Sequence, residues 1–243
     1  MKRILTIEDL VSIGKRGESV SNSIFSSFSL EQIFVPQNIK YSPYNNCINK
    51  DLSSSFIDYE KSFKDDLIHF DSIYYSLYST SELNALNIFI ENVKDNDTKV
   101  IANTCDIDIT KIDSSIFSQT NIILASSKSF KGNNETILEE LISYSKKIDS
   151  ISDFIIVIDI YISESKSAIA LFNREKNEVT FIYYTKWPIK NETSFDIFSS
   201  CFTSHLLNEE GIEKAVRNTL SFLDKVNVKT LSDKNQTFYG LIY

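Results

Sequence analysis

The sequence predicts an α/β layered domain, a mostly parallel sheet with helices packed on both faces. Three observations carry that expectation. Short apolar runs suited to strands alternate along the chain with segments whose apolar residues recur every three to four positions. One run, Phe154-Ile155-Ile156-Val157-Ile158-Asp159-Ile160, is apolar on both sides, as a central parallel strand must be. No internal repeat, linker or low-complexity tract breaks the alternation, so residues 1–243 read as one domain with one sizeable core.

Taken in order, residues 3–7 form a first buried strand, followed by a polar turn holding Gly14 and Gly17 and by a helix over 18–29. Residues 32–36 make a second strand that Pro36 is expected to stop, and residues 39–49, rich in Asn, Tyr and Pro, read as an exposed loop. Phe56, Tyr59, Phe63, Leu67 and Phe70 mark one apolar helix face. A strand over 71–75, a helix over 81–93 with Leu83, Leu86 and Ile90 inward, and a strand over 99–103 follow. Residues 114–117 are at most one turn, 120–125 a strand and 135–148 a helix. Residues 168–173 and 179–184 flank a Glu-Lys-Asn turn and predict an antiparallel hairpin. Helices over 196–207 and 210–226 close the main body, and a last strand is expected at 238–243.

Composition excludes several functions. A net charge of -8 with both signs interspersed leaves no nucleic-acid footprint. The apolar run at the start is too short for a signal peptide and no later run approaches a membrane span, so a cytoplasmic location is expected. Cys47, Cys105 and Cys201 lie far apart with no histidine at ligand spacing, which supports neither a disulfide framework nor a metal site. His69 and His205 read as packing residues beside Phe70 and Leu206. Five glycines in 243 residues fall well below the usual share of about 7%, so phosphate-cradling loops are scarce. Nucleotide bias of an AT-rich genome would remove glycine only where it is dispensable.

One stretch draws chemical attention. In Lys186-Trp187-Pro188-Ile189-Lys190-Asn191-Glu192-Thr193-Ser194-Phe195-Asp196, a polar turn runs into an acid, and Ile197, Phe198, Cys201, Phe202 and Leu206 then recur at helical spacing. Asp196 therefore stands at or just inside a helix N-terminus, where exposed N–H groups favour negative charge. It reads either as a cap or as a working acid at the carboxyl ends of the strands, where layered α/β domains bind ligands. Asp9, at the end of the first strand, belongs to the same rim.

The order of several pieces carries a resemblance. Ile4-Leu5-Thr6-Ile7-Glu8-Asp9 with the Gly14 turn, Phe34-Val35-Pro36 with Ser42 beyond, and Phe70-Asp71-Ser72-Ile73-Tyr74 with Glu82 are similar to segments of bacterial pyridoxal kinases of the ribokinase superfamily. So are Ala168-Ile169-Ala170-Leu171-Phe172-Asn173, Asp196-Ile197-Phe198-Ser199-Ser200, and Gly211-Ile212-Glu213-Lys214-Ala215-Val216. The likeness spans nearly the whole chain in order.

That resemblance implies a ribokinase-like three-layer α/β/α sandwich, a possible homodimer, and ATP-dependent phosphoryl transfer, with Mg2+, to the hydroxymethyl group of a B6 vitamer. Asp196 takes the place of the family's base, Thr193, Ser194 and Phe195 the place of its anion hole, and Asp9 and Ser42 the place of substrate-binding groups. The chain departs from the family at four points. The two glycines ahead of the base are replaced by Thr193 and Phe195, whose Cβ atoms obstruct close backbone approach to a phosphoryl group. Ala102-Asn103-Thr104 stands for Asp-Pro-Val, and Leu124-Ala125-Ser126 followed by Ser129 stands for Thr-Pro-Asn followed by Glu. Ile158-Asp159-Ile160 stands for Val-Thr-Gly. Three readings follow: an active pyridoxal or pyridoxine kinase, a catalytically weak or dead relative that binds or regulates, and a hydroxymethylpyrimidine or sugar kinase of the same superfamily.

Overall fold

Strand β1 (Arg3–Val11) sits where the sheet changes its direction of growth. On one side it pairs in parallel with β2 (Glu31–Lys40), which carries the short antiparallel β3 (Asn49–Asp51) at the edge. On the other side it pairs in parallel with β4 (Ser72–Ser76). From there β5 (Lys99–Thr104), β6 (Ile122–Ser126) and β7 (Phe154–Tyr161) continue in parallel. The hairpin of β8 (Lys166–Asn173) and β9 (Glu178–Thr185) closes the sheet antiparallel. This computed structural model describes residues 1–11, 18–40, 49–77, 83–104, 107–112, 114–130, 136–147, 153–186, 193–208 and 211–232.

Helices cover both faces. One core gathers Leu5, Ile7, Ile73, Val100, Ile123 and Ile155 under α2 (Phe56–Asp65), α3 (Leu83–Val93) and α4 (Ile137–Ser145). The other gathers Ile4, Tyr74, Ile101, Leu124 and Ile156 under α1 (Glu18–Ser27), α5 (Thr193–Leu207) and α6 (Ile212–Ser232). The result is the expected three-layer sandwich with a mostly parallel sheet. Every residue of β4 and β6 is buried, as two-sided coverage of parallel strands requires.

Some expected boundaries moved for local reasons. Pro36 does not stop β2: the strand runs on to Lys40, and one extra residue is inserted just after the proline. Between Glu8↔Pro36 and Leu10↔Ile39, β1 advances two positions while β2 advances three, a β-bulge of the kind that accommodates proline near a sheet edge. The 114–117 turn is a longer 3-10 segment, Ser114–Gln119. The expected strand over 238–243 falls outside the described residues, while α6 reaches Ser232.

Leu67 does not belong to the apolar face of α2. It is 78% exposed and takes a left-handed φ of 53°. Ile68 N–H donates to the Phe63 carbonyl at 2.9 Å and Leu67 N–H to Lys64 at 3.2 Å, the paired bonds of a Schellman helix ending, with Leu67 at the position that favours glycine. α1 ends the same way: Leu30 N–H reaches the Phe25 carbonyl at 3.0 Å, and Ser29 holds φ 59°. A left-handed L-residue costs about 1–2 kcal/mol, partly offset in glycine by its larger loss of backbone freedom. Leu67→Gly is therefore expected to raise the unfolding free energy by about 0.5–1 kcal/mol in urea titrations, whereas Leu67→Ala, which keeps a Cβ, gains nothing comparable.

Candidate active site

The register of three neighbouring strands lines up a polar row at their carboxyl ends. Ser76 pairs with Asn103, and Glu8 lies one step beyond the Ile7–Tyr75 pair, next to Ser76. Because side chains alternate along strands, Glu8, Ser76 and Asn103 point to one face, and Tyr74 stands one pleat behind them. That face belongs to the α1/α5/α6 layer, to which Tyr74 contributes its ring. The row also lies between β1 and β4, where the strand order reverses, the crevice in which open α/β sheets bind ligands.

α5 lowers Asp196 onto this row from its first turn. The helix begins at Thr193, so Asp196 stands inside it rather than capping it, and its carboxylate is 2% exposed. Asn103 Nδ2 donates to Tyr74 Oη at 3.0 Å and to Ser76 Oγ at 3.3 Å, and reaches Asp196 Oδ1 at 3.5 Å. Ser76 Oγ donates to Glu8 Oε1 at 3.3 Å. Glu8 Oε2 is in hydrogen-bond contact with Ser21 Oγ of α1, so the row links α1 through Glu8, Ser76 and Asn103 to Asp196 of α5.

Burial dominates the electrostatics. Desolvation, helped by the negative charges of Asp196 and Glu18, pushes the Glu8 carboxyl up to about 8 against the pull of its hydrogen bonds from Ser21 and Ser76. Burial, and then the charges of Glu8 and Asp196, likewise raise the Tyr74 phenol well above its ordinary value.

The structure distributes the residues singled out in the sequence unevenly. Thr193, Ser194 and Phe195 form the opening of α5, whose first N–H groups have no intrahelical acceptor. Phe195 is half-buried, and its carbonyl accepts from Ser199 Oγ at 2.8 Å. Asp9 is buried on β1 but alternates away from Glu8, and its Oδ1 accepts from Asn38 Nδ2 on β2 at 2.9 Å. Ser42 lies outside the described residues. Glu8 is therefore the residue of β1 that faces Asp196, and it was not singled out; its place one pleat after buried Thr6 was the signal available. Asp159, standing where the resemblance places a threonine, holds φ 62° at a bulge in β7 and accepts from Ser167 Oγ at 3.1 Å. His69 is an exposed partner of Asp95 at 2.9 Å rather than a packing residue, whereas His205 packs edge-on against Phe28.

The donor set does not suit magnesium held by protein carboxylates. Among the described residues no three His, Cys, Asp or Glu side chains converge as a metal site, and Asn103 brings an amide to the row.

Comparison with solved structures agrees with this architecture. A candidate phosphomethylpyrimidine kinase from Bacteroides thetaiotaomicron superposes with a TM-score of 0.83 at 18% identity, over 96% of this chain and 88% of that one. Pyridoxal kinase from Lactobacillus plantarum gives a TM-score of 0.82 at 14% identity, over 99% and 93%. The fold is that of pyridoxal kinases. The enzyme from Leishmania donovani, solved in complex with ADP, matches at 0.81 with 8% identity over 96% and 89%. No family model and no curated protein sequence matches the chain.

The pyridoxal kinase fold thus carries, at its switch point, a cluster that is closed by hydrogen bonds and rich in acid. Asn103→Asp would remove two N–H donors and bring a third carboxyl to Glu8 and Asp196. It is expected to destabilise the protein by about 3 kcal/mol at pH 8. The loss should shrink towards pH 5, where the added carboxyl takes up a proton. Urea unfolding at the two pH values tests this, and equal stability at pH 8 would contradict the cluster.

Proposed function

We propose that the chain is a pyridoxal kinase-like protein whose phosphoryl transfer from ATP to a B6 vitamer is intrinsically slow, with Asp196 as the base that takes the hydroxymethyl proton. The observation that carries this reading is the placement of Asp196 in the first turn of α5, over the switch point of a sheet shared with pyridoxal kinases. A helix opening supplies fixed N–H donors for a transferring phosphoryl group, and an acid beside it supplies the base. Support for nucleotide and vitamer binding comes from relatives of this fold solved with ADP and with pyridoxal. Their low identity leaves the vitamer, the nucleotide, a homodimer and a cytoplasmic setting as parts of the proposal.

Slow transfer follows from the same stretch. Thr193 and Phe195, at the places of the family's glycines, belong to a regular helix and bring Cβ atoms to positions that glycine would leave open. One misplaced oxyanion donor costs about 2.7–4 kcal/mol in the transition state, a factor of roughly 10² to 10³. No protein carboxylates converge to add a metal clamp among the described residues. The likeness to the Bacteroides protein supports a second substrate reading, a hydroxymethylpyrimidine.

Purified protein supplied with Mg2+, ATP and pyridoxal is expected to form ADP far below the usual kinase turnover of about 1–100 s⁻¹. Asp196→Asn, which keeps the shape but removes the base, should abolish what remains. Fast pyridoxal-dependent ADP release would overturn the slow reading, and activity that survives Asp196→Asn would overturn the assignment of the base. Hydroxymethylpyrimidine in place of pyridoxal tests the second substrate in the same assay.

A further inference from the structure

We infer that Glu8 is a positioning residue for Asp196: as the neutral acid it donates its own hydrogen to Ser21 Oγ and leaves Asp196 as the single negative charge of the cluster. The role of Asp196 as a base rests on the function proposed above; the state of Glu8 does not.

Counting hydrogens favours this arrangement. Ser21 Oγ owns one hydrogen, yet two acceptors face it: the Glu18 carbonyl at 3.1 Å and Glu8 Oε2. Gln32 Nε2, also bonded to Thr6 Oγ1 at 2.7 Å, fills a lone pair of Ser21 from 3.4 Å. A carboxylate at Glu8 would compete with the Glu18 carbonyl for the lone hydroxyl hydrogen. A carboxylic acid resolves the conflict, because Glu8 then donates to Ser21, and Ser21 donates to the Glu18 carbonyl. The other oxygen, Oε1, stays an acceptor for Ser76 Oγ at 3.3 Å. Each group in the row is then satisfied without a second buried charge, which the interior would penalise heavily.

The surroundings of Glu8 favour the same state. From α5 it faces Asp196, from α1 Ser21 and Glu18, and from β4 Ser76 and the Tyr74 phenol; the charges acting on it are both negative. An ionised Glu8 would set two negative charges against each other beneath the first turn of α5. The neutral acid instead ties α1 to β1 and holds the floor on which Asp196 rests.

Two measurements decide the matter without relying on activity. In the full chain labelled with 13C at glutamate Cδ, the resonance missing from Glu8→Gln should titrate near 8 rather than in the ordinary glutamate range. In Asp196→Asn the same resonance should titrate at lower pH, because a neighbouring negative charge has gone. Stability supplies the second reading. The folded protein retains a proton that the unfolded chain loses at about 4.5, so this contribution is complete below that pH and falls away as pH rises through about 8. Urea unfolding between pH 5 and pH 9 should show that decline in the wild type. Glu8→Gln, which reproduces the shape and hydrogen bonds of the neutral acid, should lack it. A Glu8 resonance titrating below pH 5, or one unmoved by Asp196→Asn, would overturn the inference. So would a decline in Glu8→Gln parallel to the wild type. An inactive protein would sink the kinase reading and leave these outcomes standing.

Discussion

α5 is buried on every side. From Asp196 to Ser204 each residue is within 2% of full burial, because the helix lies between the sheet, α1 and α6. A helix in that position must satisfy each polar side chain from within. Ser199, Ser200, Thr203 and Ser204 do so by returning their hydroxyls to the carbonyls four residues earlier, at 2.8–2.9 Å. Phe198 and Phe202, stacked at 6.2 Å on successive turns, fill the apolar side. Small polar residues and large rings together let α1 and α6 close over the helix. Asp196 inherits this dryness at the N-terminal end, and the strand row beneath it meets the demand that dryness creates.

The layers were readable because their signals are redundant. Strands β4 to β7 each carry three to five consecutive apolar residues, and helices such as α3 repeat leucine and isoleucine at one spacing. Those patterns survive the loss of any one residue. The site was only half readable for the opposite reason. Asp196 announced itself by standing before an apolar helix, but the meaning of Glu8, Ser76 and Tyr74 depends on the register of separate strands, which no local pattern encodes. Glu8 and Asp9 are adjacent acids at the end of one strand, and only the pleat decides which one faces α5. Pro36 misled because its penalty depends on which side of the strand needs a donor, and a bulge supplied the answer.

Asn103 shows how one amide changes a site. Its two amide hydrogens serve Tyr74 and Ser76, with Asp196 just within reach of the same nitrogen at 3.5 Å, tasks that an aspartate could not perform. The row is thereby knitted into the core. A cluster so closed favours rigidity over exchange with ligand.

The left-handed residues bear on how the chain compares with others of its fold. Ser29, Leu67, Asp159 and Asn177 all occupy backbone positions where glycine is the usual tenant. Nucleotide bias was expected to strip glycine only where it was dispensable, yet it is missing from places that favour it. The architecture tolerates these residues because each site is a helix end, a bulge or a hairpin turn, where strain stays local. Glycines are also the landmarks by which distant sequences are aligned to one another. Where they are few, shape can still be compared after sequence has ceased to be, which accords with close superposition at 8–18% identity.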